Sequence, residues 1–481
     1  MFEPNLFIKR IGLVGATSTF VAMSTFILLP ILTKNVSVED YGIWVQITIA
    51  IGLVPSIVLL GMPYSMVRFL APLKDKDDIA EGFYTILFIN ILMSTLASLL
   101  ILFFTPTIAN YITNNDEIIV ELLAIAVFIE GLNTISFNYF RTFQQIKRYS
   151  IFMMIKTLLN IISIGFFIYQ GFGIRGAIVG LIISNSIILF IILSLIVNEV
   201  GFKIPKFFSL KDYLIFGLPT IPGDLSSWIL QSSNRFVIGL FLGASFVGYF
   251  SAGYTLANAI TIFLAPLSFM LPAALSECYS DDSINEVKYT LDSTIKYFLA
   301  ISIPATFGIS ILSRSILTEM TTPEIAAKGY IITPIVAVSL LILGVYTIAT
   351  QIIILKMMTQ LMLFIWVFGA ALNFVLNLVM IPRIGLIGAA ISMLIAYLTV
   401  LFSTLFYSNK WIRLDFQWGF ILRCVISSLL MSLILMGLNP SGIFHLIGAV
   451  LLSVIIYFLL LYGLKGFDNK DIKNIKIFFK H

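Results

Sequence analysis

Residues 176–197 read GAIVGLIISNSIILFIILSLIV, a stretch without a single charged side chain. A helix needs about 20 mostly apolar residues to cross the hydrocarbon core of a membrane. The whole chain has the same character, since 59% of its 481 residues are apolar, 11% are charged and the mean hydropathy is +1.04. A soluble domain carries about 25% charged residues. Composition therefore excludes a soluble globular protein and predicts an all-α polytopic membrane protein.

Apolar runs of this kind recur along the chain and predict about fourteen transmembrane helices. The seventh, Tyr213–Gly243, contains Pro219 and Pro222, so we expect it to begin as a broken or interfacial segment. The ninth, Tyr297–Leu312, is the shortest and could extend into either flank. Leu361–Ile381 and Leu386–Tyr407 are predicted as separate eleventh and twelfth spans.

The basic residues predict the orientation of these spans. Of the 29 lysines and arginines, 21 fall in the N-terminus, the tail and alternate connections, and only five fall in the others. Cytoplasmic loops collect Lys and Arg, so both termini are expected on the cytoplasmic side of the cytoplasmic membrane, and the net charge of +5 bears first on topology.

Two pairs of similar stretches suggest an internal repeat. Gly173-Ile-Arg-Gly176 resembles Gly385-Leu-Ile-Gly388, and Asp40-Tyr-Gly42 resembles Phe246-Val-Gly248. The two members of each pair are six predicted spans apart. This spacing predicts two pseudo-symmetric six-helix lobes and two extra C-terminal helices. The expected divisions are 1–200 for the N-terminal lobe, 201–408 for the C-terminal lobe, and 409–481 for spans 13 and 14 with a basic cytoplasmic tail.

The sequence lacks the residue patterns of common metal sites and of the P-loop nucleotide site. The chain has two cysteines without CxxC spacing, two histidines without an HExxH pattern, and no GxxxxGK[ST] loop. We therefore expect no metal, no cofactor, no nucleic-acid partner and no enzymatic activity.

The seventh span carries an unusual set of polar residues. At 100° per residue, Asp224, Trp228, Gln231 and Arg235 share one narrow helix face. Ionisable residues inside a span usually face a bundle interior or a water-filled cavity, and arginine can bind a phosphate bidentately. This face is a candidate binding site, although Arg235 could equally snorkel or pair with Asp224 for structural reasons.

Three other spans contribute candidates for a central cavity. Glu130 and Arg141 lie on a polar face of the fourth span, and Lys156 lies in the fifth. Arg141 and Lys156 are near the cytoplasmic end, where snorkelling is an alternative role. Asn373 and Asn377, spaced i, i+4 in the eleventh span, could bind substrate or join helices.

Ordered fragments along most of the chain carry a family resemblance. They are Asp40-Tyr-Gly42, Tyr139-Phe-Arg141, Gly217-Leu-Pro219, Trp228-Ile-Leu230, Asn234-Arg235, Phe241-Leu-Gly243, Val247-Gly-Tyr249, Pro272 with Leu275-Ser-Glu277, and Asn377-Leu378. Together they resemble the polysaccharide transporter family, the O-antigen repeat-unit flippases, within the multidrug/oligosaccharidyl-lipid/polysaccharide exporter superfamily. Asn234 stands where relatives often have an aspartate before the arginine, which removes the local Asp-Arg pair.

The resemblance implies a two-lobed flippase that moves a polyprenyl-(di)phosphate-linked oligosaccharide through a cationic cavity by alternating access, for surface glycan assembly. It also implies a lipid-tail groove at the last two spans. The implied partners are the lipid-linked oligosaccharide, membrane lipids and glycan-assembly proteins. The alternatives are a cation-coupled exporter of small amphiphiles of the multidrug and toxin extrusion type and, with less support, a membrane glycan polymerase.

Overall fold

The computed structural model describes residues 4–264, 267, 271–272, 274–275, 284–438, 440 and 442–466, with side chains from residue 12 onwards. Every regular element within these ranges is a helix, and none is a strand. The predicted all-α polytopic class is confirmed. Pro272 and Leu275 of the family fragments lie at the edge of the described residues, and Glu277 lies outside them.

The helices of the first half are mostly of membrane-spanning length. They are α1 Pro4–Thr33, α2 Val38–Val58, α3 Met62–Ser65, α4 Lys76–Phe103, α5 Thr105–Ile112, α6 Glu117–Thr142, α7 Ile146–Tyr169, α8 Gly173–Val200, α9 Leu210–Gly217 and α10 Ile221–Leu242. A π-helical turn at Met66–Leu70 follows α3, and a 3-10 turn at Leu218–Thr220 separates α9 from α10. The break expected at Pro219 and Pro222 is therefore present.

The later helices include two that are longer than their predicted spans. They are α11 Ala244–Ala257, α12 Ile284–Met320, α13 Pro323–Gly329, α14 Thr333–Ala349, α15 Gln351–Leu355, α16 Thr359–Ser408, α17 Trp418–Leu438 and α18 Ile443–Gly463. The short ninth predicted span is part of α12, which extends beyond it on both sides.

The number of spans depends on two particular helices. Among the described residues, twelve helical segments are long and apolar enough to cross a membrane. One is α16, which contains both the eleventh and the twelfth predicted spans and leaves helical geometry at Gly385, where φ is 63°. Another predicted span, α10, is not among the twelve because its polar residues lower its hydropathy. The count of fourteen stays a prediction.

The described residues form two compact units. The first consists of the described parts of Met1–Ser251 and Trp366–Ser392, and the second of those of Ala252–Ile365 and Met393–His481. Within the first unit, α6 packs against α2, α4, α7 and α8. Because α6 is enclosed on several sides, its polar residues face other helices. The predicted division at residues 200 and 408 stays a prediction.

The two glycines that suggested one of the sequence repeats lie against each other in the first unit. A Cβ added to Gly42 would overlap the backbone carbonyl of Ala244 and lie 3.2 Å from the nitrogen of Gly248. A Cβ added to Gly248 would lie 2.8 Å from the carbonyl oxygen of Val38. The N-terminal turn of α2, capped by the Ser37 hydroxyl, therefore meets the start of α11 backbone to backbone.

Replacing Gly42 by alanine is expected to destabilise the protein by about 2–3 kcal/mol, the usual size of an overpacking strain, because the Cβ meets a carbonyl that only backbone movement can clear. The free energy of unfolding, measured by thermal or denaturant unfolding in detergent, tests this. Gly448→Ala in α18 is the matched control, since nothing lies within 4 Å of its Cβ position. Equal stability of the two variants would contradict the close packing.

Candidate functional site

One polar face of α6 lines a cavity of about 390 Å³ in the first unit. Glu130, Thr134, Asn138 and Arg141 fall within an arc of about 80° on this helix, and all four contribute to the wall. The opposite wall is more apolar and comes from α2 and the segment that follows it, with Ile51, Pro55, Leu59, Pro63 and Val67. Asp224 of α10 and Tyr64 complete the lining.

Tyr64 reaches the cavity because the chain turns sharply after α2. Leu60 and Gly61 have positive φ values of 50° and 69°, and Pro63 then starts the short helix α3. A Cβ at Gly61 would overlap the carbonyl of Gly217, so glycine permits a close approach to the end of α9. The Ser65 hydroxyl fixes the same approach by donating to the Tyr213 carbonyl at 2.7 Å.

A hydrogen bond joins this turn to α10 across the cavity. The Tyr64 hydroxyl donates to Oδ1 of Asp224 at 2.9 Å. Burial, and secondly this hydrogen bond, raise the pKa of Tyr64, which lies between the spans α2 and α4, to about 12. The phenol is therefore a protonated donor at physiological pH and holds the carboxylate against the cavity wall.

Glu130, in the cavity wall, forms an ion pair with Lys156. Lys156 Nζ lies 2.9 Å from both carboxylate oxygens, and the side chains are 13% (Lys156) and 22% (Glu130) exposed. The Asn185 amide donates to Glu130 Oε2 at 3.4 Å, and the ammonium lies 5.7 Å from the Phe137 ring centroid. Lys156 does not line the cavity, and its charge is compensated by Glu130.

Arg141 differs from the other basic residues of this region. It lines the cavity and is exposed, and its guanidinium has no hydrogen bond or ion pair with any described residue. Arg148, by contrast, pairs with Glu199 at 2.6 Å. Arg141 is thus the cavity cation whose hydrogen-bonding capacity is available to an anionic group, and five N–H donors in a planar fork suit a phosphate.

The other residues of the predicted α10 face have different surroundings. Arg235 is only 7% exposed; its Nη1 donates to the Gln231 carbonyl at 3.1 Å, and its guanidinium lies 5.9 Å from the Phe250 ring centroid. It follows Asp224 by eleven residues, a helical rise of about 16 Å, which is too far for a direct pair. Trp228 donates to the Ile49 carbonyl at 3.3 Å, and the exposed Gln231 donates to the Ser227 hydroxyl.

Asn373 and Asn377 of α16 are fully buried and contact each other. The Asn377 amide donates to Asn373 Oδ1 at 3.0 Å, and the Ser233 hydroxyl of α10 lies 3.3 Å from the same oxygen. Neither asparagine lines the cavity beside α6. The structure therefore brings Glu130, Arg141 and Asp224 together in one cavity and places Arg235, Trp228, Asn373 and Asn377 in the packing around α10.

Tyr64 is a polar cavity residue that the sequence did not suggest. It is separated from Asp224 by 160 positions, and its local sequence, Gly-Met-Pro-Tyr, carries no charged or periodic pattern. The only available signal was the pair of helix breakers, Gly61 and Pro63, directly before it. They indicate a turn, but not the helix that the turn contacts.

The chain is similar to several known proteins. It shows 21% identity over 235 residues to the "Probable low-salt glycan biosynthesis flippase Agl15" of Haloferax volcanii, a match that covers 49% of this chain and only 50% of that relative. The fold is similar to "Lipid II flippase MurJ, inward closed conformation", with a TM-score of 0.76, 16% identity, and coverage of 93% of this chain and 97% of that one.

The same fold extends to an inward-facing multidrug resistance MATE family transporter of the MOP superfamily, with a TM-score of 0.68, 15% identity, and coverage of 84% and 97%. The family model described as "Polysaccharide biosynthesis protein" matches residues 31–323. The resemblance noted in the sequence, to the polysaccharide transporter family, is confirmed. Because the family model matches more than half of the chain, the chain belongs to the polysaccharide biosynthesis protein family.

Proposed function

We propose that this protein is a flippase that moves a polyprenyl-(di)phosphate-linked oligosaccharide repeat unit across the cytoplasmic membrane by alternating access, for surface glycan assembly. The observation that carries the proposal is the cavity beside α6, in which the Arg141 guanidinium, without a hydrogen bond or ion pair to any described residue, lies among hydrogen-bonding side chains. The family, the glycan-biosynthesis flippase among its relatives and the MurJ-like fold support the same function. In this proposal both termini face the cytoplasm.

The chemistry of the cavity favours different roles for its arginine and for its other polar side chains. Arg141 binds the phosphate, because a guanidinium stays charged and can donate two parallel hydrogen bonds to phosphate oxygens. Asp224, held by Tyr64, together with Thr134 and Asn138, binds sugar hydroxyls. The volume of about 390 Å³ falls within the range of ligand pockets. Glu130 lines the wall, and Lys156 fixes its position.

A second cavity suits the apolar tail of the carrier. It has about 430 Å³, lies within the second unit between α12, α17 and α18, and is lined mainly by apolar side chains such as Phe263, Leu312, Met431, Val454 and Phe458. Polar groups are sparse there, so an isoprenoid chain fills it without leaving unsatisfied hydrogen bonds. We assign the tail to this cavity, next to the two C-terminal helices.

The alternative function is a cation-coupled exporter of small amphiphilic molecules. Two acids, Glu130 and Asp224, line the cavity beside a single arginine, and the fold is shared with a multidrug transporter. Acidic side chains would bind a cationic amphiphile or a coupling cation. The two acids therefore support this exporter as the second candidate function.

Reconstitution distinguishes the two functions. Purified full-length protein in phosphatidylcholine vesicles is tested with a fluorescent, short-chain polyprenyl-diphosphate oligosaccharide and, separately, with the cationic dye ethidium. We expect protein-dependent movement of the lipid-linked sugar between leaflets, measured by its accessibility to a membrane-impermeant quencher, and no dye transport. Transport of ethidium without movement of the lipid-linked sugar would favour the exporter and overturn the flippase.

A further inference from the structure

The connection between α8 and α9 carries an exposed apolar surface outside any predicted span. Phe202, Ile204 and Phe208 are 77%, 77% and 80% exposed. Connections in water are usually polar, and contiguous exposed apolar residues mark a surface that contacts something else. Together with Lys206 and Lys211, these three side chains are called the linker patch below.

Side chains of α4 hydrogen-bond to the backbone of this connection, and these bonds orient the side chains of the patch outward. Oε1 of Glu81 accepts hydrogen bonds from the backbone N–H groups of Lys206 at 2.6 Å and Phe207 at 3.1 Å. The Tyr84 hydroxyl donates to the Gly201 carbonyl at 2.9 Å. With these polar groups satisfied by α4, the side chains of the patch are left facing outward.

The linker patch lies at the edge of the membrane-facing surface of α4. The Phe207 ring packs against Phe88 with centroids 5.2 Å apart, and Phe88, one of the exposed apolar residues of the span α4, is 49% exposed. Since α8 ends at Val200, the connection that carries the patch directly follows the end of one span and touches the side of another. This is the depth at which aromatic residues favour the membrane interface.

The linker patch contains two lysines, and a third, Lys203, lies in the same connection. Lys203 is 3.6 Å from Asp77, but Lys206 and Lys211 form no ion pair with any described residue. The Lys206 ammonium lies 5.9 Å from the Phe208 ring centroid, which places a cation beside an exposed aromatic. Lysines next to apolar side chains at an interface extend their ammonium groups toward the phosphates of lipid head groups.

We propose that the linker patch is a binding surface for anionic phospholipids. Phe202, Ile204 and Phe208 insert at the boundary between head groups and acyl chains, while Lys206 and Lys211 bind the lipid phosphates. A lipid fits better than a protein partner, because the patch continues the lipid-exposed side of α4 and alternates apolar and basic residues. The surface is independent of the substrate cavity.

A lipid titration of the full-length protein in detergent tests the proposal. Phosphatidylglycerol should raise the thermal unfolding midpoint of the wild type more than phosphatidylcholine does. In the double variant Lys206→Gln/Lys211→Gln, the apparent affinity for phosphatidylglycerol should fall about fivefold for each lysine removed. Phe208→Ser should weaken the response to both lipids, because it removes apolar insertion without changing charge.

The control is Lys147→Gln/Lys410→Gln, which removes two exposed lysines outside the patch and should leave the affinity for phosphatidylglycerol unchanged. Both double variants are first shown to unfold at the wild-type temperature without added lipid; if the patch variant does not, bound phosphatidylglycerol is counted by native mass spectrometry of its folded fraction. Equal affinities in the two double variants by either measurement would overturn the proposal.

Discussion

Replacing Arg141 by alanine is expected to lower the rate of translocation of a lipid-linked oligosaccharide by about 100-fold, while the protein still folds and enters the membrane. Each hydrogen bond to a charged group contributes about 1.5–3 kcal/mol, and the loss of two such bonds at the lower value, about 3 kcal/mol, corresponds to about two factors of ten. The side chain is exposed and has no partner among the described residues, so its removal leaves no buried group unsatisfied. The vesicle assay with the fluorescent lipid-linked sugar measures the effect.

Two further variants separate phosphate binding from a general effect of charge. Arg141→Lys keeps the charge but loses the planar fork, so an intermediate rate is expected. Arg148→Ala removes the same charge from a residue whose side chain is 51% exposed and whose guanidinium is already paired with Glu199, and should retain most of the activity. If Arg141→Ala and Arg148→Ala translocate equally well, Arg141 does not bind the phosphate.

Breaking the Glu130–Lys156 pair is expected to destabilise the protein by about 3–5 kcal/mol, because removal of one partner leaves the other charge without compensation in a mostly buried position. Both Lys156→Met and Glu130→Gln should show this loss in thermal unfolding. The double variant should recover most of the stability, since no unpaired charge remains. The coupling energy from the four proteins measures the interaction directly.

The Arg148–Glu199 pair provides a matched control in the same unit. Its N···O distance of 2.6 Å is shorter, but its side chains are 51% and 31% exposed, so solvent screens the attraction. Pairs of this kind contribute about 0–1 kcal/mol, and the corresponding single variants should be nearly as stable as the wild type. Additive losses for Glu130 and Lys156, with no recovery in the double variant, would refute a compensated buried pair.

The sequence predicted the helical class because a membrane leaves its backbone few alternatives. Long apolar runs must satisfy their own hydrogen bonds, and helices do so locally. The apolar runs on either side of Gly385 were predicted as separate spans, whereas α16 continues on both sides of that residue and leaves helical geometry only there. α10, predicted as part of the seventh span, is not among the twelve apolar segments because of its polar residues. These differences arise where individual residues, and not average composition, decide the geometry.

The candidate site was predictable in part for a similar reason. Helical periodicity correctly placed Glu130 and Arg141 on one face of α6, and the cavity lies on that face. For α10 the same reasoning grouped Asp224 with Arg235, but it contains no information about the neighbours that cover each turn. Arg235 is covered, with the Phe250 ring nearby, whereas Asp224 reaches the cavity beside Tyr64. The predicted role of Arg235 in substrate binding stays a prediction.

The contact between Gly42 and Gly248 also constrains how the two halves of the chain can diverge. Each glycine lies against the backbone of the other's helix end, so a side chain gained at either position is blocked by the opposite half. Neither glycine can be replaced by a larger residue unless the backbone of the other helix moves. The lipid-facing residues around them are not restricted in this way and can exchange one apolar side chain for another. Mutual steric restraint of this kind maintains a short likeness between two stretches that differ elsewhere.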